Sequence, residues 1–221
     1  MNHATTLLMK EFVTHDVLRL ILFRPEEFTF DPGQGVDLAI DADGWRDQSR
    51  PFTPTSSTMD GVLEFTIKIY PAHAGMTRAL AKLQPGAALT ISDPWGTISY
   101  HGPGVFIAGG AGITPFLAIM RHLRDERRLP GHGLIFANKT VADVICEKEL
   151  RAAFGEQACF LVDRDAIPGF EPGFVDKDLL KRRIVDWDQR FYVCGPPPFN
   201  DAVMQTLREL GAQPEALVFE Q

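Results

Sequence analysis

The sequence predicts a two-domain protein, with an antiparallel β-barrel first and an α/β domain built on a parallel sheet second. The first hundred residues show short alternating strands punctuated by Gly and Pro, whereas the rest alternates short apolar runs with amphipathic helices. The chain has 221 residues, which is long enough for two small domains. We place the boundary near His101–Gly104, so that residues 1–101 form the first domain and residues 102–221 the second.

Strand periodicity predicts the barrel. In Val62–Ile69, apolar residues alternate with polar ones such as Glu64 and Thr66, which is the pattern of a half-buried strand. The segment Val36–Ile40 repeats the pattern on a shorter scale, and Gly and Pro mark turns between such segments. One helix is predicted near Thr77–Leu83.

Short apolar runs separated by helical patterns predict the parallel sheet of the second domain. The clearest helix spans Thr114–Arg128, with its apolar residues recurring on one face. We interpret Arg121, Arg124, Arg127 and Arg128 as a solvated face of this helix. The predicted strands are Val105–Ala108, Leu134–Ala137, Cys159–Val162, Phe191–Cys194 and Leu217–Phe219.

Composition and charge exclude several classes of function. The net charge of -7 argues against nucleic-acid binding, because a domain that holds phosphate backbones is usually basic. Cys146, Cys159 and Cys194 are scattered, so neither a disulfide framework nor a metal site is predicted. The sequence shows no leader and no apolar run of membrane-spanning length, and we therefore expect a cytoplasmic protein.

The most informative stretch follows the first predicted parallel strand. The strand runs into Gly109, Gly110 and Gly112, and Thr114-Pro115 then opens the helix, with Thr114 as N-cap and Pro115 as the first helical residue. Glycines allow a tight turn and close approach of a ligand, and the helix N-terminus offers free N–H groups to a pyrophosphate. On this segment alone, an ordinary strand-to-helix turn remains an alternative.

A second signature lies in the first domain, in the run Arg50-Pro51-Phe52-Thr53. Arg50 can grip a phosphate with two hydrogen bonds, Phe52 can lie against a planar ring, and Thr53 offers a hydroxyl to a ring heteroatom. Further along, Gly75-Met76-Thr77 precedes the short predicted helix and would form another anion-binding helix start. Taken singly, Arg50 is equally well explained as a surface charge and Phe52 as core.

Together these segments resemble the ferredoxin–NADP reductase superfamily, which includes the cytochrome b5 reductases and the reductase modules of oxygenases. The resemblance implies an FAD-binding barrel and a nicotinamide-binding α/β domain, with the two cofactors meeting at the cleft between them. Four family motifs occur in the family's order along the chain. They are matched by Arg50, Phe52 and Thr53, by Gly75 and Thr77, by Gly109, Gly110, Gly112, Ile113, Thr114 and Pro115, and by Cys194, Gly195, Pro196 and Phe199.

The resemblance also implies roles for individual residues. Arg50 would hold the FAD pyrophosphate, Phe52 would pack on the flavin, and Thr53 would sit near its reactive nitrogen N5. Cys194 would lie beside the nicotinamide, as a contact and not as a nucleophile. Phe52 stands where the family has Tyr, so we expect the ring contact to remain and a hydroxyl contact to be lost. The strand lining the flavin would be Lys68, Ile69 and Tyr70.

The expected activity is hydride transfer between NADH or NADPH and FAD, followed by electron transfer to a separate acceptor. That acceptor is expected to be a small redox protein of the ferredoxin, flavodoxin or cytochrome type. Because no cysteine cluster follows the last predicted strand, we expect no iron–sulfur cluster. Two alternatives stay open, a reductase of free flavin or another small acceptor and a nucleotide-sensing subunit without turnover.

The preference between NADH and NADPH is predicted from the residues at the end of the second parallel strand, Asn138 and Lys139. The strand ends without an acid, so Lys139 permits the 2′-phosphate of NADPH. By resemblance, the run Phe-Ala-Asn-x-Thr followed by Asp143 and Glu149 is similar to NADH-using cytochrome b5 reductases. We therefore expect a preference for NADH with some NADPH activity.

Overall fold

The computed structural model describes residues 2–96, 98–163, 167–213 and 217–219, and it contains one antiparallel and one parallel six-stranded sheet. The antiparallel sheet has the order β4-β3-β6-β1-β2-β5. Its strands are β1 (Asn2–Phe12), β2 (Val17–Phe23), β3 (Val36–Ile40), β4 (Arg50–Phe52), β5 (Val62–Lys68) and β6 (Ala88–Ser92).

The antiparallel sheet closes into a barrel, as the sequence predicts. Its outer strands meet just beyond β4, where Pro54 forms a bridge with Phe65 and the Thr55 N–H donates to the Glu64 carbonyl at 2.6 Å. Apolar side chains fill the interior, and helix α1 (Met76–Lys82) adds the buried side chains of Met76 and Leu80 to it.

The parallel sheet has the order β10-β9-β8-β7-β11-β12 and carries apolar clusters on both faces. Its strands are β7 (Gly104–Gly109), β8 (Gly133–Asn138), β9 (Ala158–Val162), β10 (Glu171–Pro172), β11 (Arg190–Cys194) and β12 (Leu217–Phe219). The helices around it are α2 (Thr114–Asp125), α3 (Glu147–Phe154), α4 (Lys177–Arg183) and α5 (Pro197–Glu209). The predicted parallel sheet is confirmed, and helices cover both of its faces.

The strand order places a topological switch point between β7 and β11. The chain builds outward from β7 to β8, β9 and β10, and it then returns to place β11 on the opposite side of β7. In open α/β sheets the crevice at such a point, outside the carboxyl ends of the strands, binds the ligand. Gly109 and Cys194 stand at those two carboxyl ends.

Two predictions about exposure are wrong, and both for the same reason. Glu64 and Thr66 are buried, so β5 is covered on both faces, and Arg121 is buried instead of solvated. Arg121 reaches from α2 to the outer face of β5, and each side chain therefore covers the other. Strand and helix periodicity report local patterns, and they contain no information about which domain covers an outer face. Arg124 is exposed, as predicted, and so are Arg127 and Arg128.

The start of α2 also differs from the prediction by one residue. A 3₁₀ turn, Gly110–Ile113, lies between β7 and the helix. Thr114 is therefore the first helical residue instead of the N-cap, and Pro115 is the second. Proline is still accommodated there, because the first N–H groups of a helix have no partner within it.

Candidate functional site

The glycine-rich turn is packed directly against the end of β11. A Cβ placed on Gly112 would lie 2.2 Å from the Cys194 carbonyl oxygen and 2.7 Å from the Gly195 Cα. A Cβ would clash with these backbone atoms, which cannot move aside, so only glycine allows the turn and the end of β11 to lie this close together. Gly110 adopts a φ of +54°, in the left-handed region that favours glycine, and a Cβ there would meet open space. The turn and the end of β11 thus form one continuous wall at the switch point.

The Phe199 ring of α5 packs against both segments of this wall. A Cβ on Gly109 would lie 3.0 Å from the Phe199 ring, and one on Gly195 would lie 2.5 Å from it. The structure therefore brings the two dinucleotide motifs, through Gly109 and Gly195, against one aromatic ring, which itself packs on the apolar core. Cys194 is buried and Pro196 is exposed.

The end of β8 supplies a buried amide beside this wall. Asn138 is 6% exposed, and neither its Oδ1 nor its Nδ2 has a hydrogen-bond partner in the described part of the chain. An unpaired buried amide costs about 1–3 kcal/mol, which a ligand group would recover. A similar atom, Oδ1 of Asn200, lies buried in the first turn of α5, and sequence patterns gave no sign of it.

A basic residue, Lys139, and an acidic residue, Asp143, follow the end of β8, where we expect the adenosine ribose to bind. Lys139 is exposed, and its backbone carbonyl accepts a hydrogen bond from the Asp163 N–H at 3.2 Å. Four residues later, the Asp143 carboxylate accepts from the Thr140 N–H at 2.9 Å and from its hydroxyl at 2.6 Å. This reciprocal cap holds the carboxylate in place at the turn after β8.

On the barrel, the predicted flavin motif lies at the short strand β4 and just after it. Arg50 and Pro51 are exposed, whereas Phe52 and Thr53 are half-buried and Phe52 packs against the barrel core. The Arg50 guanidinium donates to the carbonyl of its neighbour Ser49 at 2.7 Å, so no distant group of the fold fixes its direction among the described contacts.

The end of β5 and the start of α1 are brought together, as the motifs require. The Tyr70 N–H donates to the Thr77 hydroxyl at 3.4 Å, and the Tyr70 ring stacks on His73 with 6.1 Å between centroids. Gly75 precedes α1 in an extended conformation, and the Met76 side chain is buried in the barrel core. Only the backbone of Met76 is therefore available to a ligand.

Lys68 and Ile69 complete this strand end. The Lys68 ammonium pairs with the Asp16 carboxylate at 2.7 Å, and Ile69 is buried. Burial acts to raise the pKa of Asp16, but the hydrogen bond and charge of Lys68 outweigh it and the pKa is lowered. The positive charge of Lys68 is therefore partly neutralised on the outer side of the strand.

Two domain families match the chain. Residues 4–100 match the oxidoreductase FAD-binding domain, and residues 106–205 match the oxidoreductase NAD-binding domain. NADH-cytochrome b5 reductase 1 of Ajellomyces capsulatus is 31% identical over 231 residues, which covers 95% of this chain and 74% of that protein. The chain belongs to the ferredoxin–NADP reductase superfamily. The boundary that we place between residues 101 and 102 stays a prediction.

Other members of the superfamily extend the comparison. The reductase component of propane 2-monooxygenase from Mycolicibacterium smegmatis is 29% identical, over 88% of this chain and 60% of that protein. The crystal structure of a ferredoxin NADP+ reductase from Neisseria gonorrhoeae, with bound FAD and NADP, has a TM-score of 0.81 and 23% identity. It covers 95% of this chain and 92% of that chain. That structure supports the fold.

Membership confirms the predicted fold class, cofactors and enzyme class: this protein is an NAD(P)H-dependent flavoprotein reductase that uses FAD. Its own residues fit both groups. The Gly112 wall and the unpartnered Asn138 amide suit a dinucleotide, and Arg50 is exposed beside a half-buried aromatic ring. Among the described residues, no helix has the length and apolar character needed to cross a membrane. The roles of the individual site residues stay predictions.

Proposed function

We propose that the protein oxidises NADH and delivers the electrons, through FAD, to a separate small redox protein. The observation that carries the proposal is the wall formed by Gly112, Cys194 and Gly195 at the switch point, in a chain whose first domain is an FAD-binding barrel. When bound, FAD supplies the redox chemistry, since it accepts a hydride and can pass electrons on singly. The residues of the chain would bind and orient the two cofactors and exclude water from between them.

On the barrel side, Arg50 would hold the FAD pyrophosphate through charge-assisted hydrogen bonds. Phe52 is already fixed against the barrel core and would offer a rigid face to the flavin ring. Thr53, half-buried just after the end of β4, would place its hydroxyl near the flavin N5. The N–H groups at Gly75–Thr77 would face the phosphates as a second set of donors.

On the nucleotide side, the N–H groups of the turn and the first residues of α2 would receive the dinucleotide pyrophosphate. Cys194, buried at the end of β11, would contact the nicotinamide and keep water from it. Asn138 would bond a ribose or phosphate oxygen with its unpartnered amide. These proposed roles are supported by position, since Gly109, Asn138 and Cys194 stand at the carboxyl ends of β7, β8 and β11.

The preference for NADH is supported by Asp143. Its carboxylate is held by Thr140 close to Lys139, and a negative charge there would repel a 2′-phosphate. Lys139 is exposed, and its positive charge would offset part of this repulsion, so residual activity with NADPH is expected.

The identity of the acceptor is proposed from relatives. They include proteins named for cytochrome b5 and a reductase component of a monooxygenase, which supports a separate acceptor protein. The test is an anaerobic absorbance titration with NADH and then NADPH, followed by turnover with cytochrome b5, ferredoxin, flavodoxin and free FMN. The proposal expects bleaching of bound flavin by NADH and faster turnover with one of the proteins than with FMN. Faster turnover with FMN than with every protein would contradict it.

A further inference from the structure

A buried arginine joins the two domains. Arg121 lies on α2 and is 7% exposed. Its Nη1 donates to Glu64 Oε1 of β5 and to the Thr55 carbonyl, both at 2.6 Å. Its Nε and Nη2 donate to the two carboxylate oxygens of Glu149 on α3, at 2.9 and 2.7 Å. We call Thr55, Glu64, Arg121 and Glu149 the Arg121 network.

The network holds one positive and two negative charges, and a second positive charge comes from Arg124, whose Nη1 lies 3.3 Å from Glu149 Oε1. Burial disfavours the charged guanidinium, but bonds to Glu149 and Glu64 outweigh it and raise the pKa of Arg121. Burial would likewise raise the pKa of Glu149, yet the hydrogen bonds and charge of Arg121 lower it. The Thr55 hydroxyl donates to Glu64 Oε1 at 2.8 Å, so this carboxylate oxygen accepts one bond from each domain.

The network is attached to the segments that carry the cofactor motifs. Arg121 lies seven residues, about 10 Å, along α2 from Thr114, where the dinucleotide turn ends. Glu64 lies four residues, about 13 Å, before Lys68 on the strand predicted to line the flavin. Thr55 follows Thr53 of the flavin motif by two residues. Helix and strand are stiff over such lengths, so a shift of the network would shift both sites.

Stability alone is a weak explanation for these contacts. Well-packed apolar residues can often replace a buried ion pair without loss of stability, because desolvation offsets much of the attraction. A planar guanidinium, by contrast, fixes direction, since its donors lie in one plane and here meet four acceptor oxygens in set orientations. Hydride transfer depends strongly on such alignment, and a misplacement of about 1 Å can cost roughly 100-fold in rate.

We propose that Arg121 is a positioning residue, which sets the distance and angle between nicotinamide and flavin without contacting either. The inference rests on the proposed hydride route between the two domains. The variants to compare are Arg121→Met and the triple variant Arg121→Met, Glu64→Gln, Glu149→Gln, which removes all three charges of the network and so leaves none of them buried without a partner. Arg124→Met is the matched control, because Arg124 bonds the same Glu149 at 3.3 Å and is largely exposed.

The measurements are flavin content, the apparent Kd for NADH, the limiting rate of flavin reduction in anaerobic stopped flow, and the long-wavelength charge-transfer absorbance when the reduced protein is mixed with NAD+. We expect both Arg121 variants, read per bound flavin, to keep the Kd within about twofold. The limiting rate should fall by about 10-fold or more and the charge-transfer absorbance should weaken. Arg124→Met should match the wild type in all four measurements.

Each result decides between positioning and a merely structural role. If the triple variant reduces its flavin at the wild-type rate, the positioning role is wrong, whatever happens to its melting temperature. An equal loss in Arg124→Met would also overturn it, because that change leaves the contact between domains intact. If wild-type flavin is not reduced by NADH or NADPH at all, the proposed function fails instead, and the two failures are therefore distinguishable.

Discussion

The two proposed cofactor sites are built from different kinds of atoms, backbone at one and side chains at the other. At the dinucleotide turn the backbone forms the site, since Gly112 lies against the Cys194 carbonyl and Phe199 supports both segments. At the predicted flavin site side chains form it, with Arg50 exposed and Phe52 half-buried at the short strand β4. One surface is fixed by packing within the fold, and the other depends on an exposed arginine beside a half-buried aromatic ring.

This difference predicts different consequences of mutation. A side chain added to the backbone-built site must displace the protein itself, so stability and geometry suffer together. A side chain removed from the proposed flavin site would remove one ligand contact and leave the fold unchanged, because the contacts of the described residues link Arg50 only to its neighbour Ser49. Mutations at the two sites should therefore be separable by measuring stability and cofactor binding on the same variants.

The largest effect is expected for Gly112→Ala. Its Cβ would collide with backbone atoms of Cys194 and Gly195, so β11 and the turn must move apart. We expect a loss of about 1–3 kcal/mol in stability and, through the displaced Cys194, a limiting rate of flavin reduction lower by about 10-fold. Denaturant unfolding and stopped-flow reduction measure the two effects.

Gly110→Ala is the control for this prediction. A Cβ there meets open space, so the expected cost is the left-handed φ alone, about 1–2 kcal/mol. If Gly110 faces the dinucleotide, the apparent Kd for NADH should rise while the limiting rate stays near the wild-type value. Equal limiting rates in Gly112→Ala and the wild type would show that the wall does not position the nicotinamide.

The second effect is the loss of flavin in Arg50→Ala. Removing a charge-assisted phosphate contact should cost about 1.5–3 kcal/mol of FAD binding, or roughly 10- to 150-fold in Kd. The unfolding free energy of the flavin-free protein should not change, because Arg50 is exposed. Arg50→Lys should recover part of the affinity through its charge. Full flavin occupancy in Arg50→Ala at limiting FAD would remove Arg50 from the site.

The sequence predicts a feature well when its pattern lies within a short segment of the chain, and poorly when the pattern is interrupted. The turn after β7 was predicted from three closely spaced glycines, and the helix start was misplaced by one residue because a 3₁₀ turn precedes the helix. Strands β1 and β2 were not predicted. A bulge between Leu7 and Met9 interrupts the alternation of β1, and Arg19 is the one polar residue in the apolar run of β2.

The contacts between domains were not predictable in the same way. Arg121 was taken for a surface residue because its helix shows a polar face, and Glu64 because its strand alternates. Their bond joins residues 57 positions apart, which no short pattern encodes. Asn138 was selected for its position at a strand end, but its lack of partners could be seen only in the fold.

The third effect concerns two charged side chains, Lys139 and Asp143. Both lie on the α/β domain, where the backbone forms most of the proposed dinucleotide site. Lys139→Ala should lower the residual activity with NADPH several-fold and leave NADH almost unchanged, because only NADPH offers it a 2′-phosphate. Asp143→Asn should do the reverse and raise NADPH use, with Thr140 still able to bond the amide oxygen. The ratio of kcat/KM values for the two nucleotides is the measurement. A strong NADPH preference in the wild type would overturn the proposed use of NADH.

The smallest expected effect is a difference between the two domains in how their stability depends on pH. In the α/β domain, His132 is buried, stacks on Phe106, and bonds the Leu129 carbonyl and the Tyr100 hydroxyl. Burial lowers its pKa below the ordinary 6.5. On the barrel, the lowered pKa of Asp16 means that its pair with Lys68 is fully formed above the ordinary 3.8 and is lost only in stronger acid.

Mild acid should therefore weaken the α/β domain first. Below pH 6.5 the unfolded chain protonates His132 while the folded chain resists, so stability falls by up to about 1.4 kcal/mol per pH unit until the folded pKa is reached. Unfolding free energies at pH 7.5 and 5.5 measure this loss. His132→Gln removes the titrating group, so its own stability should change less between the two pH values, whereas Asp16→Asn should follow the wild type. If His132→Gln loses as much stability as the wild type, another group controls the response.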